Sequence, residues 1–190
     1  MKTLFVITLV LLAGCTSKPT PDLERYLLRS DASNPFSASA PRAEIGLGSV
    51  QVAAYIDQPG IVVETADGSV TAARYNQWAE PLRQSLRKFL ANEIAAAANQ
   101  PVRASSYGET NWKRYTSKLI DVRIEQLHGT HAGEAILVAY WALIDPTERT
   151  VVSEHEFVAK EPLDSDGYPA LVAAQKRLLT RLAADIASVL

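Results

Sequence analysis

Cysteine is nearly absent from this chain, which has one cysteine and one methionine among 190 residues. A single cysteine excludes an internal disulfide, even in an oxidising compartment. An excess of charge of one sign is also lacking, since the formal net charge is only −2. This balance predicts that neither nucleic acid nor an anionic lipid surface is the main partner.

The sequence also lacks the short motifs of common enzymes, including G-x-S-x-G, H-E-x-x-H and the phosphate-binding P-loop. Asp57, Glu64 and Asp67 have no partner base or nucleophile beside them. His128 and His131 are interpreted as solvated residues of a hairpin loop, because further metal ligands are missing from the local sequence. We therefore expect no catalytic residues, metal or cofactor, since an enzyme would need a constellation assembled from distant positions.

The first residues carry a secretion pattern. Lys2 gives a small positive region, residues 4–12 are an apolar run too short to span a bilayer, and Leu-Ala-Gly-Cys follows at residues 12–15. This pattern resembles the lipobox of bacterial lipoproteins. The resemblance implies a cleaved signal peptide, residues 1–14, and lipidation of Cys15 on its sulfur and amine. An ordinary secretion signal with a chance cysteine is the alternative. Several acyl chains anchor stably, whereas one would be marginal.

Removal of residues 1–14 leaves 176 residues, a length that fits one domain with a sizeable core, and moves the formal charge to −3. Residues 15–24 are predicted to be the acylated cysteine and its tether, and residues 25–190 the folded domain. The residue after the cysteine is Thr16. In enterobacterial sorting an Asp at this position retains lipoproteins in the inner membrane, so by resemblance Thr16 indicates the periplasmic face of the outer membrane.

Hydrophobic periodicity predicts two long helices. The first lies in residues 74–98, where Pro81 suits the first turn and apolar residues recur three and four apart. The second starts near Gly167 and runs to the carboxyl end. A strand over 135–144, apolar on both faces, is interpreted as central and covered on both sides. Further strands are predicted at 26–28, 45–52, 61–65 paired with 70–73, 102–105, 119–126 and 151–160.

The predicted order is strands, helix, three antiparallel strands and helix. It predicts one α+β domain, in which a mostly antiparallel sheet packs against the two long helices.

Three segments resemble one known family. They are the lipobox, YIDQPGIV at residues 55–62 and RYNQWAEPLRQSLRKFL at residues 74–90. Over essentially the whole mature chain the sequence resembles the ABC-type transport auxiliary lipoproteins. The resemblance implies a non-enzymatic outer-membrane lipoprotein that serves intermembrane phospholipid transport. Its implied partners are an MCE-domain protein (PqiB-like) and the inner-membrane partners of that protein.

The segment at residues 55–62 is the main candidate for partner binding. Its apolar residues are expected to form an exposed docking edge, although a hairpin packed on its own core is the alternative. Trp78 is a further candidate contact, interpreted mainly as a core anchor whose replacement by Ala costs about 3 to 5 kcal/mol. The candidate residues are Tyr55, Ile56, Pro59, Gly60, Ile61, Val62 and Trp78.

Two other functions stay open at this point. The domain could be a lipid-binding shuttle that holds the acyl chain of a phospholipid between helices and sheet, or a structural envelope lipoprotein without a transport partner. A homo-oligomer is also compatible with the resemblance, because a ring would match the symmetry of an MCE assembly.

Overall fold

The computed structural model describes residues 21–33, 44–104 and 116–190. The predicted signal peptide, the lipidation site Cys15 and most of the tether lie outside these residues. Within them, eight strands form one sheet and two helices pack against it. The strands are β1 (Glu24–Tyr26), β2 (Ile45–Val52), β3 (Gly60–Glu64), β4 (Val70–Trp78), β5 (Val102–Ala104), β6 (Lys118–Gly129), β7 (Glu134–Asp145) and β8 (Thr150–Pro162); the helices are α1 (Leu82–Ala98) and α2 (Tyr168–Ala187).

The prediction of an α+β domain with two long helices is confirmed, but the sheet is mixed rather than mostly antiparallel. Four pairings are parallel, namely β1 with β4, β2 with β5, β2 with β6 and β3 with β6. Three are antiparallel, namely β3 with β4, β6 with β7 and β7 with β8. Alternating burial reveals which face of a strand is covered, but not the direction of a neighbour distant in sequence. The parallel pairings were missed for that reason.

Strand β6 organises the sheet. Along one side it pairs with β2, and at Gly129 with β3, while its other side pairs with β7. Strand β8 then pairs with β7. The hairpin of β3 and β4 matches the sequence prediction, since Val62 lies opposite Ala72 and Glu64 opposite Val70.

Strand β4 is longer than predicted and continues through Trp78, so residues 74–78 are extended rather than part of a helix. Helix α1 begins after Pro81 and ends at Asn99, whose φ of 51° lies in the left-handed region. Asn99 was predicted to help stop this helix, and its backbone N–H caps the carbonyls of Ala95 and Ala96. Helix α2 begins at Tyr168 with Pro169 in its first turn, as the sequence predicts.

Both helices lie on one face of the sheet. The hydrophobic core fills the space between the helices and that face of the sheet. The side chains that fill it share almost complete burial; among them are Leu47, Leu86, Leu90, Ile94, Ile120, Ile124, Leu137, Leu178, Leu179 and Leu182. No helix in the part of the chain that the structure describes is long and apolar enough to cross a membrane.

The prediction that residues 135–144 form a strand covered on both sides is wrong for one side. Leu137 and Trp141 face the helices and are buried. On the opposite face Ile136 and Val138 are half-buried and Tyr140 is exposed. Strand β7 is central, because it pairs with β6 on one side and with β8 on the other. The apolar side chains on its second face are shielded only partly by those neighbouring strands, and no second layer of helices covers them in the described part of the chain.

Candidate docking site

The segment at residues 55–62 is a tight corner that joins β2 to β3. The backbone N–H groups of Ile56 and Asp57 both donate to the carbonyl of Ala53, at 3.1 and 3.2 Å. The N–H of Gln58 donates to the carbonyl of Ile56 at 2.9 Å. The N–H of Ala53 in turn donates to the carbonyl of Ile124 in β6, at 2.9 Å. The corner is therefore tied by its own backbone to the middle of the sheet.

Helix α1 and strand β4 hold the outer part of the corner. The guanidinium of Arg83 pairs with the carboxylate of Asp57 at 2.5 Å. The backbone N–H of Trp78 donates to the carbonyl of Pro59 at 2.8 Å. The ion pair is partly exposed and contributes at most about 1 kcal/mol, so the backbone contacts provide most of the rigidity.

Gly60 occupies a position with no room for a side chain. A Cβ added there would lie 2.5 Å from the carbonyl oxygen of Ala73 and 3.1 Å from its nitrogen. The register of β3 against β4 shifts between Gly60 and Val62, and this irregularity brings the two backbones together. Glycine is therefore needed at residue 60 because of close backbone approach.

Most apolar side chains of the segment point inward, so the expected exposed apolar edge is not what these residues form. Ile56, Ile61 and Val62 are 1, 0 and 3% exposed. Trp78 is also buried and belongs to the same core. The segment thus matches the alternative of a hairpin packed on its own core. Gln58 and Pro59 are exposed, and Tyr55 and Asp57 are half-buried, so these four residues are what the corner offers to a partner.

Tyr55 lies edge-on against His128, with ring centroids 5.9 Å apart and an angle of 63° between the planes. Burial, with smaller effects from the charges of Glu64 and Glu125, raises the pKa of Tyr55 to about 12. The phenol therefore stays protonated at physiological pH and can serve as a hydrogen-bond donor to a partner, but not as a base.

His128 corrects the prediction of two solvated loop histidines. It lies in β6 rather than in the loop, is buried, and its Nδ1 lies 3.0 Å from the carbonyl oxygen of Gly129. The residues of β6 alternate only up to a register shift between Ile124 and Gln126, and no local pattern indicates that the strand continues past this shift. His131 does lie in the exposed turn. In residues 21–33, 44–104 and 116–190 no three His, Cys, Asp or Glu side chains could hold a metal ion together.

An open groove of about 470 Å³ lies between β2 and β8. Its charged groups engage each other: the hydroxyl of Tyr140 donates to Glu156 at 2.7 Å, and Arg123 lies 5.1 Å from the centre of the Tyr140 ring. That hydrogen bond, with the charge of Glu156, raises the pKa of Tyr140. The carboxylate of Asp121 accepts the backbone N–H of Ser49 at 2.7 Å. Sequence reasoning missed this groove because its residues come from four strands.

The family of the chain follows from comparison with known proteins. A family model described as the ABC-type transport auxiliary lipoprotein component matches residues 26–187. The chain belongs to this family. Members of this family are non-enzymatic transport components, which agrees with the expected absence of a catalytic constellation.

The intermembrane transport lipoprotein PqiC of Escherichia coli K12 is 24% identical over 192 residues, which cover 98% of this chain and 95% of that protein. PqiC of Shigella flexneri matches to the same extent. Among solved structures, a protein of Xanthomonas campestris superposes with a TM-score of 0.65 at 16% identity, covering 86% of this chain and 92% of that one. Another crystal structure, of an uncharacterised protein, gives 0.69 at 20% identity, with 89% and 99% covered. These two structures show that the fold of this auxiliary lipoprotein is shared.

Proposed function

We propose that this auxiliary lipoprotein is the outer-membrane component of an MCE-based system that moves phospholipids between membranes. One observation carries the proposal, namely the similarity to PqiC over nearly the full length of both chains. The lipobox-like segment that ends at Cys15, and the Thr that follows it, support the proposal of an acylated protein at the periplasmic face of the outer membrane.

Lipid transfer across an aqueous compartment needs an apolar path. Each exposed methylene costs about 0.8 kcal/mol, and an acyl chain has more than a dozen of them. An anchored protein can hold the far end of such a path against the target membrane. The proposed role is therefore docking of the distal tip of an MCE assembly, with the PqiB-like protein and its inner-membrane partners on the other side.

The rigid corner at residues 55–62 is the docking element in this proposal. Tyr55, Gln58 and Pro59 present a fixed surface, so binding to them orders little additional chain. The ion pair of Asp57 with Arg83 connects this surface to helix α1. Trp78 supports the corner from the core through its backbone bond to Pro59.

The shuttle alternative receives less support. It needs space between helices and sheet for an acyl chain, and the described side chains fill that space, for example Leu86, Ile124 and Leu178 at complete burial. Native mass spectrometry of the purified protein tests this point. A stoichiometric phospholipid would favour the shuttle over docking.

The docking proposal is tested by a mild-detergent pull-down of the tagged, acylated protein from its own envelope, followed by mass spectrometry. We expect the MCE-domain protein to be recovered with the wild type. Pro59→Glu should reduce its recovery at least fivefold, because the change alters the exposed surface while the carbonyl that accepts from Trp78 stays in place. The matched control is Val152→Glu, which changes a similarly exposed apolar residue on β8.

Recovery of no MCE-domain protein with the wild type would contradict the docking function. Recovery that is equal for the wild type and Pro59→Glu would contradict the placement of docking at the corner.

A further inference from the structure

Three strands of the sheet have a single neighbour among the described residues, and one of them is much longer than the other two. Strands β1 and β5 are three residues long and pair only with β4 and β2. Strand β8 is thirteen residues long and pairs only with β7. An edge strand presents unpaired backbone N–H and C=O groups to other strands, and natural proteins commonly keep such edges short. The free edge of β8 is therefore the part of the sheet best suited to pair with another strand.

The face of β8 that points away from the helices is exposed and carries both charges and an apolar side chain. Val158 is 60% exposed, and Glu156 and Lys160 on either side of it are exposed as well. The three residues share one parity along the strand and therefore one face. An apolar residue thus lies midway between an anion and a cation, which is a self-complementary pattern for an antiparallel pair of strands.

Contacts on the other face hold β8 in one conformation. The ring of His155 stacks on the ring of Trp141 in β7, with centroids 4.0 Å apart and 10° between the planes. Closer to the end of the strand, the guanidinium of Arg177 in α2 pairs with the carboxylate of Glu161 at 2.8 Å. A strand that is already ordered loses little conformational freedom when a second strand pairs with it.

We infer that β8 pairs with β8 of a second copy of this chain, antiparallel and about a two-fold axis that passes through Val158. In this register the two Val158 side chains lie opposite each other, and Glu156 of each copy lies opposite Lys160 of the other. Residues 154–162 of both copies are paired, with about eight backbone hydrogen bonds between them. Opposite charges and apolar side chains in directly opposed positions stabilise a strand pair, so the pattern favours a second copy of this chain as the occupant.

The side chains select this register over its neighbours. An axis through Glu156 would place two carboxylates opposite each other, which is destabilising. An axis through Phe157 would place Glu156 opposite Val158 on both sides and would leave its charge without a partner. At the other end of the strand, a register shift between Leu143 and Ile144 of β7 interrupts the regular pairing, so the paired stretch ends before residues 150–152.

Pairing through β8 leaves the rest of the molecule accessible. Strand β1, which follows the predicted tether, reaches β6 through β4 and β3, whereas β8 reaches β6 from the other side through β7. The tether of each copy therefore stays at the far edge of the joined sheet. The corner at residues 55–62 connects β2 to β3, so this inference goes beyond the proposed docking and does not rest on it.

Exchange of charges tests the pairing in the unacylated mature chain, which carries Cys15→Ser and is produced behind an unrelated cleavable secretion signal. Analytical ultracentrifugation should show a reversible dimer. Glu156→Lys or Lys160→Glu alone should weaken dimerisation about tenfold, because each places like charges opposite each other at two positions. An equal mixture of the two variants should dimerise like the parent, since every lysine then faces a glutamate. The matched control is Glu148→Lys in the exposed turn before β8, which should dimerise like the parent.

A disulfide tests the position of the axis. Because Cys15 is the only cysteine, Val158→Cys in the Cys15→Ser chain gives a single thiol on the axis. Opposite residues of antiparallel strands have Cα atoms about 4.5 to 5.5 Å apart, within the range that a disulfide spans. Mild oxidation should therefore join two copies covalently. Val152→Cys is the control, because Val152 is 62% exposed but lies beyond the paired stretch, and it should stay largely unlinked.

Three outcomes would overturn the inference. The parent chain could be a monomer at every concentration, or the mixture of the two charge variants could fail to recover the dimer. A dimer that is equally stable in the parent and in both charge variants would also contradict it, because another surface would then hold the two copies together.

Discussion

Two short segments of this protein contain apolar residues in similar proportion and orient them differently. In residues 55–62 the large apolar side chains of Ile56, Ile61 and Val62 all turn into the core. In residues 23–29 Leu23 and Leu27 turn outward, and only Leu28 is buried in the core. The first segment was expected to be exposed and the second to be a tether and short strand. The comparison teaches that the apolar content of a segment does not determine whether its side chains point into the core or into solvent. That direction depends on the strands that pack against the segment.

The two segments also differ in how they are held. The corner at residues 55–62 has backbone bonds to β4 and to the chain just before it, and Gly60 lies against the backbone of β4. Strand β1, within residues 23–29, pairs only with β4, at three positions. A rigid corner suits a partner of fixed shape, because binding to it orders little additional chain.

The largest change in the free energy of unfolding is expected from substitution of Trp78. Trp78→Ala should lower the free energy of unfolding by about 3 to 5 kcal/mol, because the indole is buried in the core beneath the corner. Leu27→Ala, at an exposed position directly after β1, should change the free energy of unfolding by less than about 0.5 kcal/mol. Denaturant titration followed by circular dichroism measures both. A Trp78→Ala variant with unchanged melting but lost partner binding would contradict the core placement.

A smaller change in the free energy of unfolding is expected from substitution of Gly60. Gly60→Ala should destabilise the protein by about 1 to 3 kcal/mol, because the added methyl group would lie 2.5 Å from a backbone oxygen that cannot rotate away. The control is Gly133→Ala, where open space surrounds the position but φ is +75°, so any cost there arises from backbone strain alone. A Gly60→Ala variant that is as stable as the wild type would show that the corner can open.

The elements that could be predicted from sequence are those with a local signature. Helix α2 and the end of α1 at Asn99 were found because periodicity, Pro and helix-stopping residues act within a few positions. The continuation of β4 to Trp78 was missed, since a polar and aromatic stretch beside a helix suits either structure. The parallel pairing of β2 with β6 was missed because it joins residues more than 60 positions apart.

The candidate site was found as a stretch of sequence but not as a surface. Residues 55–62 were singled out, yet the burial of Ile61 and the steric requirement at Gly60 arise from β4, which approaches only in three dimensions. The same holds for residues 23–29. Which of the adjacent leucines points into the core, Leu28 rather than Leu27, depends on contacts made in three dimensions.

The smallest effect concerns the titration of Tyr55, the half-buried residue of the corner. Its pKa in the folded protein is about 12, and in the unfolded chain it returns to about 10. As pH rises from 10 towards 12 the unfolded chain loses this proton first, so stability that is fully present below pH 10 is progressively lost. Tyr55→Phe should therefore show a shallower loss of stability over this range than the wild type. Tyr26 in β1 also has a pKa of about 12, so part of the loss of stability remains in the variant. Denaturation midpoints measured at intervals from pH 8 to 11.5 test this, and parallel profiles for the two proteins would mean that the phenol of Tyr55 is no more shielded when folded than when unfolded.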